Sequence, residues 1–162
     1  MVKRALDEFE KVYVVLMVNP NKTPYFSKEE RLEFLRIAFS DFEGVVVDSH
    51  DGYAVDYLKK VGTPYYVRGI RSDADYVYEK KNEDLSLTIY PDLKTIYYKA
   101  QKTDRLVSST AVRMAIDAGE DYKKTLPNGV YDAVSKALEK RKQASIGVDA
   151  CMKFFKGLLF SS

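Results

Sequence analysis

Val12 to Val18 read Val-Tyr-Val-Val-Leu-Met-Val, an apolar run with no polar residue at any alternate position. A strand with one wet face alternates apolar and polar residues. An unbroken run suits a strand buried on both faces, as in a parallel sheet covered by helices. The segments after Val18 have the matching rhythm. Ser27-Lys28-Glu29-Glu30 has capping-box spacing, and Leu32, Leu35 and Phe39 come after it at helical intervals. Val45-Val46-Val47 predicts a second strand, Val55 to Val61 a helix ending near Gly62, and Tyr65-Tyr66-Val67 a third strand running into Arg68-Gly69-Ile70-Arg71. Thr95 to Tyr98 predicts a further strand, and Ala111 to Ala118 a helix with Gly119 at its C-terminal cap. The expected fold class is α/β, a Rossmann-like parallel sheet flanked by helices.

Composition narrows the function. A chain of 162 residues that is 46% hydrophobic supports one compact domain. Its net charge of +2 comes from 26 basic and 24 acidic residues scattered along the chain, so no nucleic-acid footprint is expected, whereas a small anionic ligand fits. Cys151 is the single cysteine, which excludes an intrachain disulfide and a thiolate-rich zinc site and suits a reducing cytosol. No apolar stretch has membrane-span length, and Met1-Val2-Lys3-Arg4-Ala5 lacks the order of a signal peptide. A cytoplasmic protein without a membrane partner is expected.

Open α/β sheets bind ligands beyond the C-terminal ends of their strands. The candidate ligand segments are therefore Asn19 to Lys22, Ser49 to Tyr53, Arg68 to Arg71 and the loop leading to Ser108. Ser108-Ser109-Thr110 puts three hydroxyls at a helix start, where free backbone N–H groups and the helix dipole favour phosphate; an ordinary N-cap reads the same way. Arg68-Gly69-Ile70-Arg71 offers two guanidiniums beside a glycine, suited to polyphosphate or to surface ion pairs. Lys22 adds a cation at the same sheet edge, and taken alone reads as a solvated loop lysine. Tyr76 and Tyr78, within Tyr76-Val77-Tyr78-Glu79, are expected to pack in the core.

Six segments together carry more than any one alone. Asn19-Pro20-Asn21-Lys22, Phe26-Ser27-Lys28-Glu29-Glu30-Arg31, Val67-Arg68-Gly69-Ile70-Arg71, Asp75-Tyr76-Val77-Tyr78-Glu79, Pro91-Asp92-Leu93-Lys94-Thr95 and Val107-Ser108-Ser109-Thr110 stand in one order and register. From Met1 to about Gln143 the chain resembles the bacterial pantetheine-phosphate adenylyltransferases of the nucleotidyltransferase superfamily. The resemblance implies the adenylyltransferase fold over 1–143 and the family reaction. In it AMP passes from ATP to 4′-phosphopantetheine, with magnesium, giving pyrophosphate and dephospho-coenzyme A in coenzyme A synthesis. It implies ATP, 4′-phosphopantetheine and dephospho-coenzyme A or coenzyme A as ligands, and a homohexamer. Lys22, Ala54 and Arg68 correspond to phosphopantetheine contacts, with Lys22 and Arg68 steadying the attacking phosphate. Gly69, Ile70, Arg71, Glu79, Asp104, Arg105, Leu106, Val107, Ser108, Ser109 and Thr110 correspond to ATP contacts. No protein metal ligand is implied.

The sequence also departs from that pattern. The family opens with a strand, a Phe-Asp-Pro turn and a Gly-His segment whose histidine stabilises the α-phosphate, and these do not precede Met1. Low turnover is therefore expected of residues 1–162 by themselves. His50 lies in a different register from the family histidine. Residues 144–162 have no family counterpart and are expected to form an extension or, through Ser145-Ile146-Gly147-Val148, a permuted strand. Asn82 and Ser86 replace an apolar residue and an asparagine usual in the family. These departures leave two rivals: a related nucleotidyltransferase with another acceptor, and a non-catalytic nucleotide-binding assembly protein.

Overall fold

The computed structural model describes residues 1–19, 23–100 and 108–158, with side chains as far as Ala144. Helices and strands alternate: α1 (Val2–Leu6), β1 (Val12–Val18), α2 (Lys28–Ala38), β2 (Val45–Asp51), α3 (Ala54–Val61), β3 (Tyr65–Ile70), α4 (Asp73–Ile89), β4 (Lys94–Lys99), α5 (Ser109–Ala118) and α6 (Val130–Leu158). Local chemistry sets several boundaries. The Ser27 side chain accepts from the Glu30 N–H while Glu30 accepts from the Ser27 N–H, closing the capping box of α2. Gly119 ends α5 at φ 71°, a left-handed conformation that costs glycine little.

The strands form two parallel pairs. β1 pairs with β2 from Val12 opposite Val45 to Val18 opposite Asp51, and β3 pairs with β4 from Tyr65 opposite Lys94 to Ile70 opposite Lys99. Phe9, just before β1, packs its ring 5.1 Å from that of Tyr65 at the start of β3, while Met1 lies against Gly69 near its end. Among the described residues no strand joins the pairs, and a cavity of about 460 Å³ lies between β1 and β3.

That cavity corrects one expectation. Of the run Val12 to Val18 only Leu16 is buried, and Val12, Tyr13, Val14, Val15 and Met17 border open space that a covered sheet would fill. The principal buried groups are Ala5 of α1, Val55, Tyr57 and Leu58 of α3, Ile70, Leu93, Tyr98, and Val130, Val134 and Ala137 of α6. Helix α6 packs along α2, and Arg141 pairs with Glu30 at 2.7 Å. Ser145 to Val148 continue α6 instead of forming a permuted strand, so the expected boundary at 143/144 falls inside a helix. Neither Tyr76 nor Tyr78 is core: Tyr78 is exposed, and Tyr76, although half-exposed, packs its ring 5.3 Å from that of Tyr97 on the sheet-facing side of α4 beside Glu79 and Glu83.

Candidate active site

The face of the β3–β4 pair that meets α4 is polar. Arg68 and Tyr97 are register partners in the ladder, so their side chains share that face. Each meets a carboxylate one helical turn from the other. Arg68 donates through Nε to Glu79 Oε2 at 2.8 Å and through Nη2 to Glu79 Oε1, a bidentate pair, and through Nη1 to the Tyr66 hydroxyl at 3.1 Å. Tyr97 donates to Glu83 at 3.1 Å, and Lys80 pairs with the same carboxylate. These contacts shift the titrations in opposite directions. The hydrogen bond to Glu79 raises Arg68 above the usual arginine value against the opposing effect of burial. Burial, reinforced by Glu83, pushes Tyr97 up to about 12. Burial alone would raise Glu83, but the hydrogen bonds it accepts, led by that from Lys80, hold it below the ordinary carboxylate value.

Beyond β3 the chain turns into α4. Ile70 is buried, and the exposed Arg71 uses its backbone N–H to donate to Asp75 at 3.1 Å. Its guanidinium has no hydrogen-bond or ion-pair partner among the described residues, which leaves it available to an anion. The start of α4 is already neutralised, because Asp73 and Asp75 lie in its first turn and Ser72 caps it. Helix α5 begins differently. Ser108 caps it by accepting from the Ala111 N–H at 3.1 Å, and no carboxylate lies in its first turn. Arg113 folds back to donate to Thr110 at 3.1 Å, and Ser109 and Thr110 are exposed. A helix start with positive dipole, added guanidinium and no acidic residue favours a phosphate group.

The structure brings Arg68 to Glu79, and it places Ala54 and Arg68 on the walls of the same cavity. Gly69 is approached closely by Met1, whose Sδ would lie 3.2 Å from a Cβ there. Arg71 follows the end of β3, whereas Ser108, Ser109 and Thr110 open α5 after β4. Lys22, Asp104, Arg105, Leu106 and Val107 lie outside the described residues. His50 sits in β2 opposite Met17, its ring 5.6 Å from Tyr57, and its Nε2 is buried without a hydrogen-bond partner among the described residues. Sequence reasoning missed Glu83 and Tyr97; the signal available was Glu79 and Glu83 at helical i, i+4 spacing.

Residues 1–115 match the profile of the cytidylyltransferase-like family, and the chain belongs to that family of nucleotidyltransferases. Curated relatives narrow the class. A protein of Heliobacterium modesticaldum is 33% identical over 130 residues, covering 80% of this chain and 77% of its own length. One of Streptococcus equi subsp. zooepidemicus is 35% identical over 144 residues, covering 88% and 87%. One of Petrotoga mobilis is 30% identical over 141 residues, covering 87% of each. All three are named phosphopantetheine adenylyltransferase, and the chain is a member of that family.

Proposed function

We propose that this site serves AMP transfer from ATP to 4′-phosphopantetheine, yielding dephospho-coenzyme A and pyrophosphate in coenzyme A biosynthesis. The observation that supports it most is the start of α5, where Ser108, Ser109 and Thr110 meet the helix dipole and Arg113 with no carboxylate in the first turn. An oxygen of the pantetheine phosphate attacks the α-phosphorus in line; a new P–O bond forms as the bond to the β-phosphate breaks, and pyrophosphate leaves. Arg71 and the α5 start hold the β- and γ-phosphates, with Gly69, Ile70, Glu79 and the segment from Asp104 to Val107 completing the nucleotide site. Lys22 and Arg68 steady the attacking phosphate, and Ala54 borders the acceptor. These groups position the reactants and stabilise developing charge without a covalent intermediate. Magnesium enters on the phosphates of ATP as part of the nucleotide substrate. Among the described residues no cluster of three or more His, Cys, Asp or Glu could hold a metal ion.

The setting we assign is the cytoplasm, consistent with the lack, among the described residues, of a helix long and apolar enough to cross a membrane. We assign a homohexamer as well. Tyr78, Leu85 and Ile89 are 65%, 68% and 49% exposed, and their spacing aligns them along one side of α4 as a stripe that a neighbouring copy would cover. Sedimentation that finds only an 18.5 kDa monomer at micromolar concentration overturns the assembly. For the site, calorimetry with Mg-ATP on the chain and on Arg71→Ala decides. A loss of at least about tenfold in affinity is expected for one charge-assisted hydrogen bond, and equal affinity refutes the assignment. Thermal shifts with phosphopantetheine and with other phosphorylated acceptors fix the acceptor.

A further inference from the structure

Arg68 is held by more than its ion pair. A guanidinium carries five N–H groups. Glu79 takes two of those on Arg68, through Nε and Nη2, and the Tyr66 hydroxyl accepts a third from Nη1 at 3.1 Å. Two N–H groups are left, one on each Nη, and no residue among those described accepts from them. Tyr66 lies two residues before Arg68 in β3, so the pleat puts both side chains on the face that meets α4. Their bond is half-buried, and the Tyr66 ring centre is 5.4 Å from the guanidinium carbon.

The two partners differ in charge, and the difference matters to an anion. Glu79 offsets the charge of Arg68. A second carboxylate on Nη1 would leave the group net negative and repel a phosphate. A phenol accepts the same hydrogen bond and adds no charge. Burial raises the Tyr66 hydroxyl above its ordinary pKa of 10.0, so it stays neutral near pH 7. Held on one edge only, a guanidinium keeps the freedom to tilt about its bonds to the carboxylate; an acceptor on Nη1 fixes its plane. A planar fork in a fixed plane offers its remaining N–H groups to phosphate oxygens in one orientation. Tyr66 and Arg68 both line the cavity that Ala54 borders, on the side assigned above to the acceptor.

We infer that Tyr66 is a positioning residue of the acceptor half of the site: its hydroxyl and Glu79 hold the Arg68 guanidinium from two sides, so that the two remaining N–H groups meet the acceptor's phosphate. Tyr66 acts through Arg68 and does not itself touch the reacting atoms. The assignment rests on the reading of Arg68 as a contact of the attacking phosphate, and it adds a residue to that reading. It does not depend on what the phosphate is attached to.

Calorimetry with 4′-phosphopantetheine, inorganic phosphate and Mg-ATP tests it on the parent chain, Tyr66→Phe, Arg68→Met and the double variant. Tyr66→Phe keeps the ring and deletes the acceptor. It should weaken phosphopantetheine and inorganic phosphate about fivefold, the effect of one hydrogen bond, and leave Mg-ATP within about twofold. In the Arg68→Met background the same change should have no further effect, because Tyr66 acts only through Arg68. Tyr98→Phe removes a hydroxyl from its bond to Glu8, away from Arg68, and should leave all three affinities unchanged. Phosphate affinity that depends on Arg68 but is equal in the parent and Tyr66→Phe overturns the assignment. Equal losses for phosphate and Mg-ATP, or a loss that persists in the Arg68→Met background, also overturn it, since either marks a merely structural hydroxyl. If phosphopantetheine does not bind while inorganic phosphate follows the expected pattern, the acceptor reading falls and the Tyr66 assignment stands. If no anion depends on Arg68, both fall. Should Tyr66→Phe fail to fold, 4-fluorophenylalanine at position 66 fills the volume of the hydroxyl without its acceptor strength and gives the same comparison.

Discussion

Replacing Glu79 by Gln keeps the shape of the side chain facing Arg68 and removes the charge. The pair is bidentate, with Nε 2.8 Å from Oε2, and the Glu79 side chain is only 14% exposed. A dry charge-assisted hydrogen bond contributes roughly 1.5–3 kcal/mol, whereas an exposed ion pair contributes about 0–1 kcal/mol. Arg68 is 37% exposed, so solvent screens one side, and the discounted value for the pair is about 2 kcal/mol. For a chain of 162 residues this corresponds to a fall in melting temperature of about 4–8 °C. A double-mutant cycle with Glu79→Gln and Arg68→Met, followed by urea unfolding, isolates the coupling from each substitution's own packing cost. A coupling energy near 2 kcal/mol is expected. A value below about 0.5 kcal/mol means the two groups act independently, and refutes the reasoning that this face of α4 is held by its carboxylates.

Ser108→Ala removes the α5 cap and should cost about 1 kcal/mol, a drop of about 2–4 °C in melting temperature; no change in thermal unfolding contradicts the capping geometry. Arg71→Ala, by contrast, should leave stability within about 0.5 kcal/mol of the parent, because the exposed side chain holds nothing else in place; a larger loss in urea unfolding assigns it a structural role. Glu83 provides a pH test with a definite sign. Its folded pKa lies below the ordinary 4.5, so its stabilisation is fully present above that pH and is lost as pH falls through the folded value. Stability should therefore fall less steeply below about pH 4.5 in Glu83→Gln than in the parent, and equal slopes in acid unfolding curves count against the Lys80 and Tyr97 contacts.

What could be read from the sequence was local. The capping box at Ser27 and Glu30, the Gly119 cap and the Ser108 helix start each depend on residues within one turn, so spacing alone located them. The polar layer under α4 could not be found that way. It requires Arg68 opposite Tyr97, a pairing between strands 29 residues apart in the chain, and the correct rotation of α4 above them. Tyr76 and Tyr78 were misplaced for the same reason. Aromatic content favours burial on average, but Glu79 and Glu83 had partners on the sheet and took the centre of the inner face, which left Tyr76 at its margin against Tyr97 and Tyr78 exposed.

The apolar run of β1 shows the converse error. Its composition specifies a strand covered on all sides, and the expected burial holds only if neighbours exist on both edges. The structure supplies β2 on one edge and the cavity on the other, so the sequence of β1 reports a requirement that the described residues meet halfway. Arg68 stands at the junction of the two problems: it lines the cavity and also anchors α4 through Glu79. Solvent in the cavity screens the open side of Arg68 and weakens its pair with Glu79, since a charge pair loses as the dielectric around it rises. The coupling measured by the Arg68 and Glu79 cycle should therefore fall when salt is raised to about 1 M. An unchanged coupling would mean that solvent in the cavity does not reach the pair, and that the cavity and the α4 carboxylates act as separate features of the fold.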